Sequence, residues 1–297
     1  MISKKYKVKA PGSCGELVQG MIYGKNFHVT CPVNLFSEIT VSIFKNSDNS
    51  DIICINNDRK DNWKATVAMR KTLDYFGFNN PGGIIKIKSR IPSGKGMASS
   101  TADISGVILA TALSLKEFIS EDEIAKIALS IEPTDGIMFK DICLFDHKKG
   151  LLFERLGSIS ENKIIVIDAG GIVDTIEFNK KDNHKLLSEN EEQINKTLVK
   201  LRGGFASNNI NIIGECATES AILNQKILYK DYLDKLIELA FKYSASGVNI
   251  AHSGTVAGVI LSPDITLKKD FYLDIFKIFK YYPKIYECKI INGGLIA

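Results

Sequence analysis

No apolar run in this sequence approaches the ~18 residues that a membrane-crossing helix requires. No charge of one sign dominates either. Lys and Arg number 38 against 34 Asp and Glu, a formal net charge of +4, and the basic residues are scattered rather than gathered into a stripe. Nucleic-acid binding lacks its electrostatic footprint here. The six cysteines, at 14, 31, 54, 143, 216 and 288, form no CxxC pair and have no histidine at zinc spacing. They read as buried reduced thiols that pack as small hydrophobes. Cys14 sits among glycines, where packing or close backbone approach accounts for it. There is no repeat and no low-complexity linker. Lys4-Lys5 leads into Tyr6-Lys7-Val8-Lys9, which reads as a strand, with no signal-peptide core after it. The expectation is a cytoplasmic protein with no membrane or nucleic-acid partner. Its 297 residues suffice for one large domain or two closely joined ones.

The chain alternates strand and helix signals throughout. Strands are predicted at Tyr6–Ala10, Phe27–Val33, Glu38–Phe44, Asp51–Ile55 and Gly83–Ile91. Helices are predicted at Trp63–Phe76 and Ser100–Leu115, the second apolar nearly all round and therefore buried. A capping box, Ser120 followed three residues later by Glu123, starts another that runs to about Ile131. Further on, Ile142–Phe145 with Leu151–Leu156 and Lys163–Asp168 with Ile172–Phe178 read as strand pairs. Helical stretches near His184–Leu201, Asn209–Leu223 and Tyr232–Tyr243 follow. Strands at Thr255–Ser262 and Tyr286–Ile291 then flank a helix at Phe271–Tyr281. The mixture predicts an α+β architecture, with a soft boundary near residue 155.

The segment with most chemical content is Ile91-Pro92-Ser93-Gly94-Lys95-Gly96-Met97-Ala98-Ser99-Ser100-Thr101-Ala102-Asp103. It joins a predicted strand to a buried helix. Unpaired N–H groups and the dipole at a helix start attract anions, and glycines let a phosphate approach the backbone. Serine hydroxyls donate to phosphate oxygens or ligate magnesium. The Walker A pattern fails, because Gly96 and not Ser or Thr follows Lys95 and the first glycine is missing at its offset. A turn that is rich in glycine and serine merely for geometry and capping is the other reading.

A second constellation is Glu132-Pro133-Thr134-Asp135. Pro133 disfavours helix at Glu132, which puts both acids on the turn at a helix end. The helix dipole is unfavourable to a carboxylate there, so a cation is expected to compensate, magnesium being the economical candidate. Equally open is a plain turn at Asp135-Gly136 with Glu132 facing solvent.

Pro92, Gly96, Met97, Ala98, Ser99, Ser100 and Ala102 match, position by position, the second motif of the GHMP kinases; Lys95 and Thr101 depart from its commonest form. Lys9-Ala10-Pro11-Gly12-Ser13-Cys14-Gly15-Glu16-Leu17-Val18-Gln19-Gly20 is similar to the first motif, with Ser13 in place of the lysine. Ser246–Gly258 occupies the place of the third. The wording of the first and third motifs most resembles the branch that phosphorylates L-threonine for cobalamin side-chain synthesis. The resemblance implies two packed α+β lobes, residues 1–155 and 156–297, the first like ribosomal protein S5 domain 2, with ATP in the cleft between them.

By the same resemblance Ser100 and Glu132 ligate Mg²⁺, and the loop Pro92, Ser93, Gly94, Lys95, Gly96, Met97, Ala98, Ser99, Ser100 wraps the triphosphate. Asp135 matches an aspartate that in some members takes the acceptor's proton, although one fewer residue separates it from the glutamate. Lys95 either reaches a phosphate or is solvated. For an amino-acid acceptor, Glu16, Gln19, His252 and Ser253 are the expected binding residues. Glu16 would meet the ammonium, or else close the Gly15–Gly20 turn, and Ser253 or backbone N–H groups would meet the carboxylate. His28, His147 and His184 are assigned no role. A kinase for another small hydroxylated acceptor, such as homoserine, and a non-catalytic sensor on the same scaffold stay open.

Overall fold

Two very long strands organise the molecule. In the computed structural model, which describes residues 5–44, 50–56, 63–78, 81–159, 161–171, 183–279 and 281–297, β1 (Tyr6–Ile22) and β2 (Lys25–Ile43) form an antiparallel hairpin. Tyr23 and Gly24 turn it, with φ of 51° and 69°. Positive φ at both central residues gives the turn the twist that matches its strands. The Pro-Gly and Ser-Cys-Gly segment that reads as a loop in sequence lies inside β1. Register shifts at Pro11/Gly12, Ser13/Glu16 and Glu16/Val18 absorb the irregular residues as bulges. The strand therefore continues past Ala10, and Glu16 and Gln19 stand on it rather than on a loop.

The sheet spreads from this hairpin. On one side β2 pairs with β4 (Gly83–Ser89), which pairs in parallel with β3 (Ile52–Asn56). On the other, β1 meets β8 (Gly247–Ile250) at Glu16↔Ile250, followed by β9 (Val256–Leu261), β7 (Lys163–Asp168) and β10 (Lys284–Lys289). A branch, β5 (Ile142–Phe145) with β6 (Phe153–Gly157), leaves β2 at His28↔Phe145. Strand β8 went unread because its four residues, Gly247–Ile250, are too short for a period. The strand expected at Ile172–Phe178 lies outside the described residues.

Helix α1 (Trp63–Tyr75), α2 (Ser99–Leu115) and α3 (Glu121–Leu129) pack together beside the hairpin. The expected capping box is present: Ser120 Oγ accepts from Glu123 N–H, and the Glu123 carboxylate accepts from Ser120 N–H at 2.8 Å. Helix α2 is buried nearly all round. Its interior hydroxyls are satisfied locally, Ser105, Thr111 and Ser114 donating to carbonyls four residues back at 2.7, 2.7 and 2.8 Å. Helices α4 (His184–Glu189) and α5 (Glu191–Ala206) divide the stretch expected to begin at His184, breaking at Asn190. Helix α6 (Ile210–Asn224) packs on α5 and β8, while α7 (Leu233–Lys242) and α8 (Lys269–Ile278) pack on each other.

One hydrophobic cluster joins β1, β2 and β4 to α1–α3 and reaches α5 and α6. A second lies between the β7–β9 sheet and α7–α8, around Phe271, Leu233, Leu236 and Val259. Each fully buried side chain of this kind stabilises the fold by about 1.5–3 kcal/mol. The architecture is α+β, as the pattern predicts.

Candidate active site

The loop from Pro92 to Ala98 is held by main-chain contacts to segments far away in sequence. Lys95 O accepts from Thr255 N–H at 3.0 Å and Val256 N–H at 3.2 Å, and Met97 O accepts from Ser13 N–H at 3.0 Å. Segments resembling the first and third motifs thus grip the second from both sides. The grip is close enough to require glycine. A Cβ on Gly254 would stand 2.2 Å from Lys95 O, and one on Gly96 (φ +80°) 2.4 Å from the Ala251 Cβ. Left-handed backbone recurs at Gly94, Gly96 and Ala98, the kind of alternation from which anion-binding nests of N–H groups are built. Ala98 opens α2 with no side-chain cap. A helix start of that kind presents its amides to an anion. Ser93 is exposed on the loop, whereas Met97 is buried beneath it.

Ser100, in the first turn of α2, donates to Glu132 Oε1, so these two expected partners do come together. Lys64 near the start of α1 completes the group. Its Nζ lies 2.6 Å from Glu132 Oε2 and 3.3 Å from Ser100 Oγ. The cation that the position of Glu132 calls for is therefore, in the structure, an ammonium that the sequence did not single out. The donor set still suits magnesium: a hydroxyl and a carboxylate oxygen, both hard, at a helix start beside a glycine loop.

Lys95 is neither solvated nor pointed outward. Its Nζ lies 3.1 Å from Asp168 Oδ2 and donates to Gly171 O at 2.6 Å. Asp168, at the end of β7, is buried and also accepts from Thr255 Oγ1 at 3.1 Å and Gly170 N–H at 3.0 Å. This carboxylate ties the lysine of the second motif to the threonine of the third.

Cross-strand register assembles a buried polar cluster beside them. Gln19 pairs with His28 and Glu16 with Thr30 across β1–β2. His28 pairs with Phe145, two residues before His147, and Glu16 pairs with Ile250, two before His252. Three of the chain's four histidines converge as a result. His28 and His147 stack with centroids 3.6 Å apart and planes 8° from parallel, and His252 leans on them at 4.3 and 5.2 Å. His28 Nδ1 stands between two carboxylates, 3.6 Å from Asp135 Oδ1 and 3.9 Å from Glu16 Oε1. His252 Nδ1 meets Gln19 Oε1 at 2.7 Å. Since that oxygen only accepts, the neutral ring carries its proton on Nδ1.

Burial sets the protonation states. It pushes His28 down to about 3, helped by Lys148, and holds His147 and His252 well below the usual imidazole range. Desolvation raises Glu16 well above the ordinary carboxylate range, with the charge of Asp135 adding to it. Asp135 is raised by burial to about 6. Ser13 Oγ, Glu16 Oε2, Thr30 Oγ1 and both ring nitrogens of His28 and His147 are buried with no hydrogen bond within 3.5 Å. Five neighbouring residues thus carry polar atoms that the protein itself leaves without a hydrogen bond, a rare condition inside a fold. The imidazole nitrogens lie within 4.8 Å of one another. The face-to-face rings of His28 and His147 nevertheless aim their in-plane lone pairs along parallel lines, not at a shared ion.

Glu16, Gln19, Asp135 and His252 are brought together, and Ser253 follows His252 in the turn between β8 and β9. His28, His147, Lys64 and Asp168 were missed. The one local signal was His28 itself, an imidazole flanked by Phe27 and Val29 in a strand. Cys14 is packed as expected, its Sγ 3.7 Å from Asn249 Oδ1.

A clamped glycine loop, a hydroxyl–carboxylate pair at its helix start and a buried polar cluster alongside are the parts that a phosphotransferase site needs. The profile described as GHMP kinases N terminal domain matches residues 63–144, which hold the loop, Ser100, Glu132 and Asp135. The galactokinase of Lactococcus lactis, solved with galactose, superposes with a TM-score of 0.75 at 13% identity over 99% of this chain and 95% of its own. The chain belongs to the GHMP kinases, and it is a small-molecule kinase. Among characterised relatives it is 30% identical to the L-threonine kinase of Citrobacter freundii, over 97% of this chain and 98% of that one. The L-threonine kinase of Salmonella typhimurium is 29% identical over 97% and 94%.

Proposed function

We propose that the protein phosphorylates the side-chain hydroxyl of L-threonine with ATP, giving L-threonine O-3-phosphate for cobalamin synthesis in the cytoplasm. The full-length similarity to two L-threonine kinases carries this reading. The pocket chemistry supports it, because buried carboxylates beside a phosphate loop suit an acceptor bearing an ammonium group. In this reading residues 1–155 and 156–297 form the two lobes, with ATP between them.

Pro92 to Ser100 wraps the triphosphate. Ser100 and Glu132 hold Mg²⁺, which when bound offsets charge on the phosphoryl oxygens. Asp135 accepts the proton from the threonine hydroxyl. The hydroxyl oxygen then bonds to the γ-phosphorus as its bond to the β,γ-bridging oxygen breaks, and ADP leaves. Phosphoryl transfer of this type depends chiefly on positioning and electrostatics. A base raised to about 6 is ionised at neutral pH yet still able to hold a proton. Glu16 binds the ammonium, with Gln19, His252 and Ser253 lining the acceptor.

A coupled ADP-release assay with a panel of acceptors tests the reading. ADP formed with homoserine and not threonine overturns the choice of acceptor; no ADP with any acceptor favours a sensor. Glu132→Gln should lower kcat by at least ~10²-fold, and near-normal turnover would sink the metal assignment.

A further inference from the structure

Lys230 is a buried lysine that the site described so far does not use. It ends the turn after α6, where Gln225 pins its main chain twice: Gln225 Nε2 donates to Lys230 O at 2.9 Å and Lys230 N–H donates to Gln225 Oε1 at 2.8 Å. The side chain is only 6% exposed. Its Nζ donates to Gly254 O at 2.7 Å, in the same turn as His252 and Ser253. Lys64 and Lys95, by contrast, each meet a carboxylate, Lys64 at Glu132 and Lys95 at Asp168. Among the described residues no carboxylate comes within ion-pair reach of Lys230. Burial alone acts on the ammonium, lowering it to about 8. Its charge is felt at His252, which it helps to hold neutral.

The opposite imbalance lies around His28, on which His252 leans. Glu16 and Asp135 are carboxylates whose only basic neighbour within 4 Å among the described residues is the neutral His28. A buried charge without a counter-charge is costly, and here the groups left without one are of opposite sign. A zwitterion cancels both.

We propose that Lys230 is the carboxylate anchor of the acceptor site, so that the pocket takes an α-amino acid by both of its charges. This rests on the reading of the protein as an amino-acid kinase. The ammonium of the substrate lies toward Glu16 and its carboxylate toward Lys230. The hydroxyl is thereby turned to Asp135 and the loop. The anchor makes acceptors that carry an α-carboxylate bind more tightly than those without one, and it disfavours sugars and isoprenoid alcohols without a clash.

The test pairs a deletion in the enzyme with a deletion in the substrate. Lys230→Met and Lys230→Gln, the latter keeping a donor for Gly254 O without the charge, are compared with wild type on L-threonine and on 1-amino-2-propanol of matching configuration. The amino alcohol is threonine without its carboxylate. Both variants should raise the KM for threonine about 100-fold, as loss of one partner of a buried charge pair does. Turnover of 1-amino-2-propanol and the KM for ATP should stay within about 3-fold of wild type, which also shows that the variants are folded. An equal loss on both acceptors, or a loss in ATP affinity, overturns the anchor and assigns Lys230 to the phosphates or to the fold. Wild type acting on homoserine and not threonine sinks the threonine reading alone, and the anchor is then tested with homoserine against 3-amino-1-propanol. A wild-type protein inert toward every α-amino acid overturns both.

Discussion

Gly254→Ala is the sharpest probe of how the site is assembled. The new methyl would lie 2.2 Å from Lys95 O and 2.4 Å from Gly96 Cα, more than about 1 Å inside ordinary contact. Both neighbours are main chain, so no rotamer change relieves the overlap. The loop must back away, and with it Lys95 O leaves the N–H groups of Thr255 and Val256, now at 3.0 and 3.2 Å. Two hydrogen bonds at about 0.5–1.5 kcal/mol each, with about 1–3 kcal/mol for overpacking, give a loss on the order of 2–6 kcal/mol. For a chain of this size that lowers Tm by roughly 4–10 °C. Differential scanning calorimetry reads the shift, and steady-state kinetics should show the KM for ATP raised at least ~10-fold. Gly24→Ala is the control. Nothing lies within 4 Å of its Cβ, though φ is +69°, so it costs about 1 kcal/mol and leaves ATP alone. A Gly254→Ala enzyme with wild-type Tm and ATP affinity would refute the idea that the loop is held in place by this close approach.

Gly203, inside α5 with nothing within 4 Å of its Cβ, should stabilise the protein by about 0.5–1 kcal/mol when changed to Ala; chemical denaturation reads this. Because Asp135 is raised to about 6, kcat/KM for the acceptor should fall about tenfold per pH unit below 6, and Asp135→Asn should abolish that limb along with most turnover. The same raised value means that the folded state takes up the proton more readily than the unfolded chain. Stability contributed by this group therefore rises as pH falls from about 6 toward the ordinary value of 3.8, and Asp135→Asn should raise Tm at pH 8 but not at pH 4.

What could be read in advance was local. Helix α2 was legible because Ile104, Val107, Ile108, Ala110 and Ala112 leave it no polar face, and α3 because Ser120 and Glu123 stand at capping-box spacing. Ser100 and Glu132 were legible as a pair through the motif each belongs to. Strand β1 was cut short in the sequence reading because Pro11 and Gly12 look like a stop, whereas the sheet takes them up at a bulge. The histidine cluster could not be read at all. Positions 28, 147 and 252 meet only because β5 pairs with β2 and β8 with β1, and nothing in a one-dimensional pattern records which strands are neighbours. Lys64 and Asp168 were hidden for the same reason, each a single charge given meaning by a residue at least 30 positions away.

The place of β1 has a consequence for synthesis. Its contact with β8 joins residues up to 235 apart, Cys14 to Asn249 among them. At ribosomal speeds of ~5–20 residues per second, one edge of the N-terminal hairpin waits roughly ten seconds or more for its partner. During that interval it exposes unpaired backbone groups to any other chain nearby. The loop from Pro92 to Ala98 cannot be fully clamped until residue 256 has emerged, because Thr255 and Val256 supply the amides that grip Lys95 O. The clamp on the loop thus forms late, when a segment of the second half reaches back to the first.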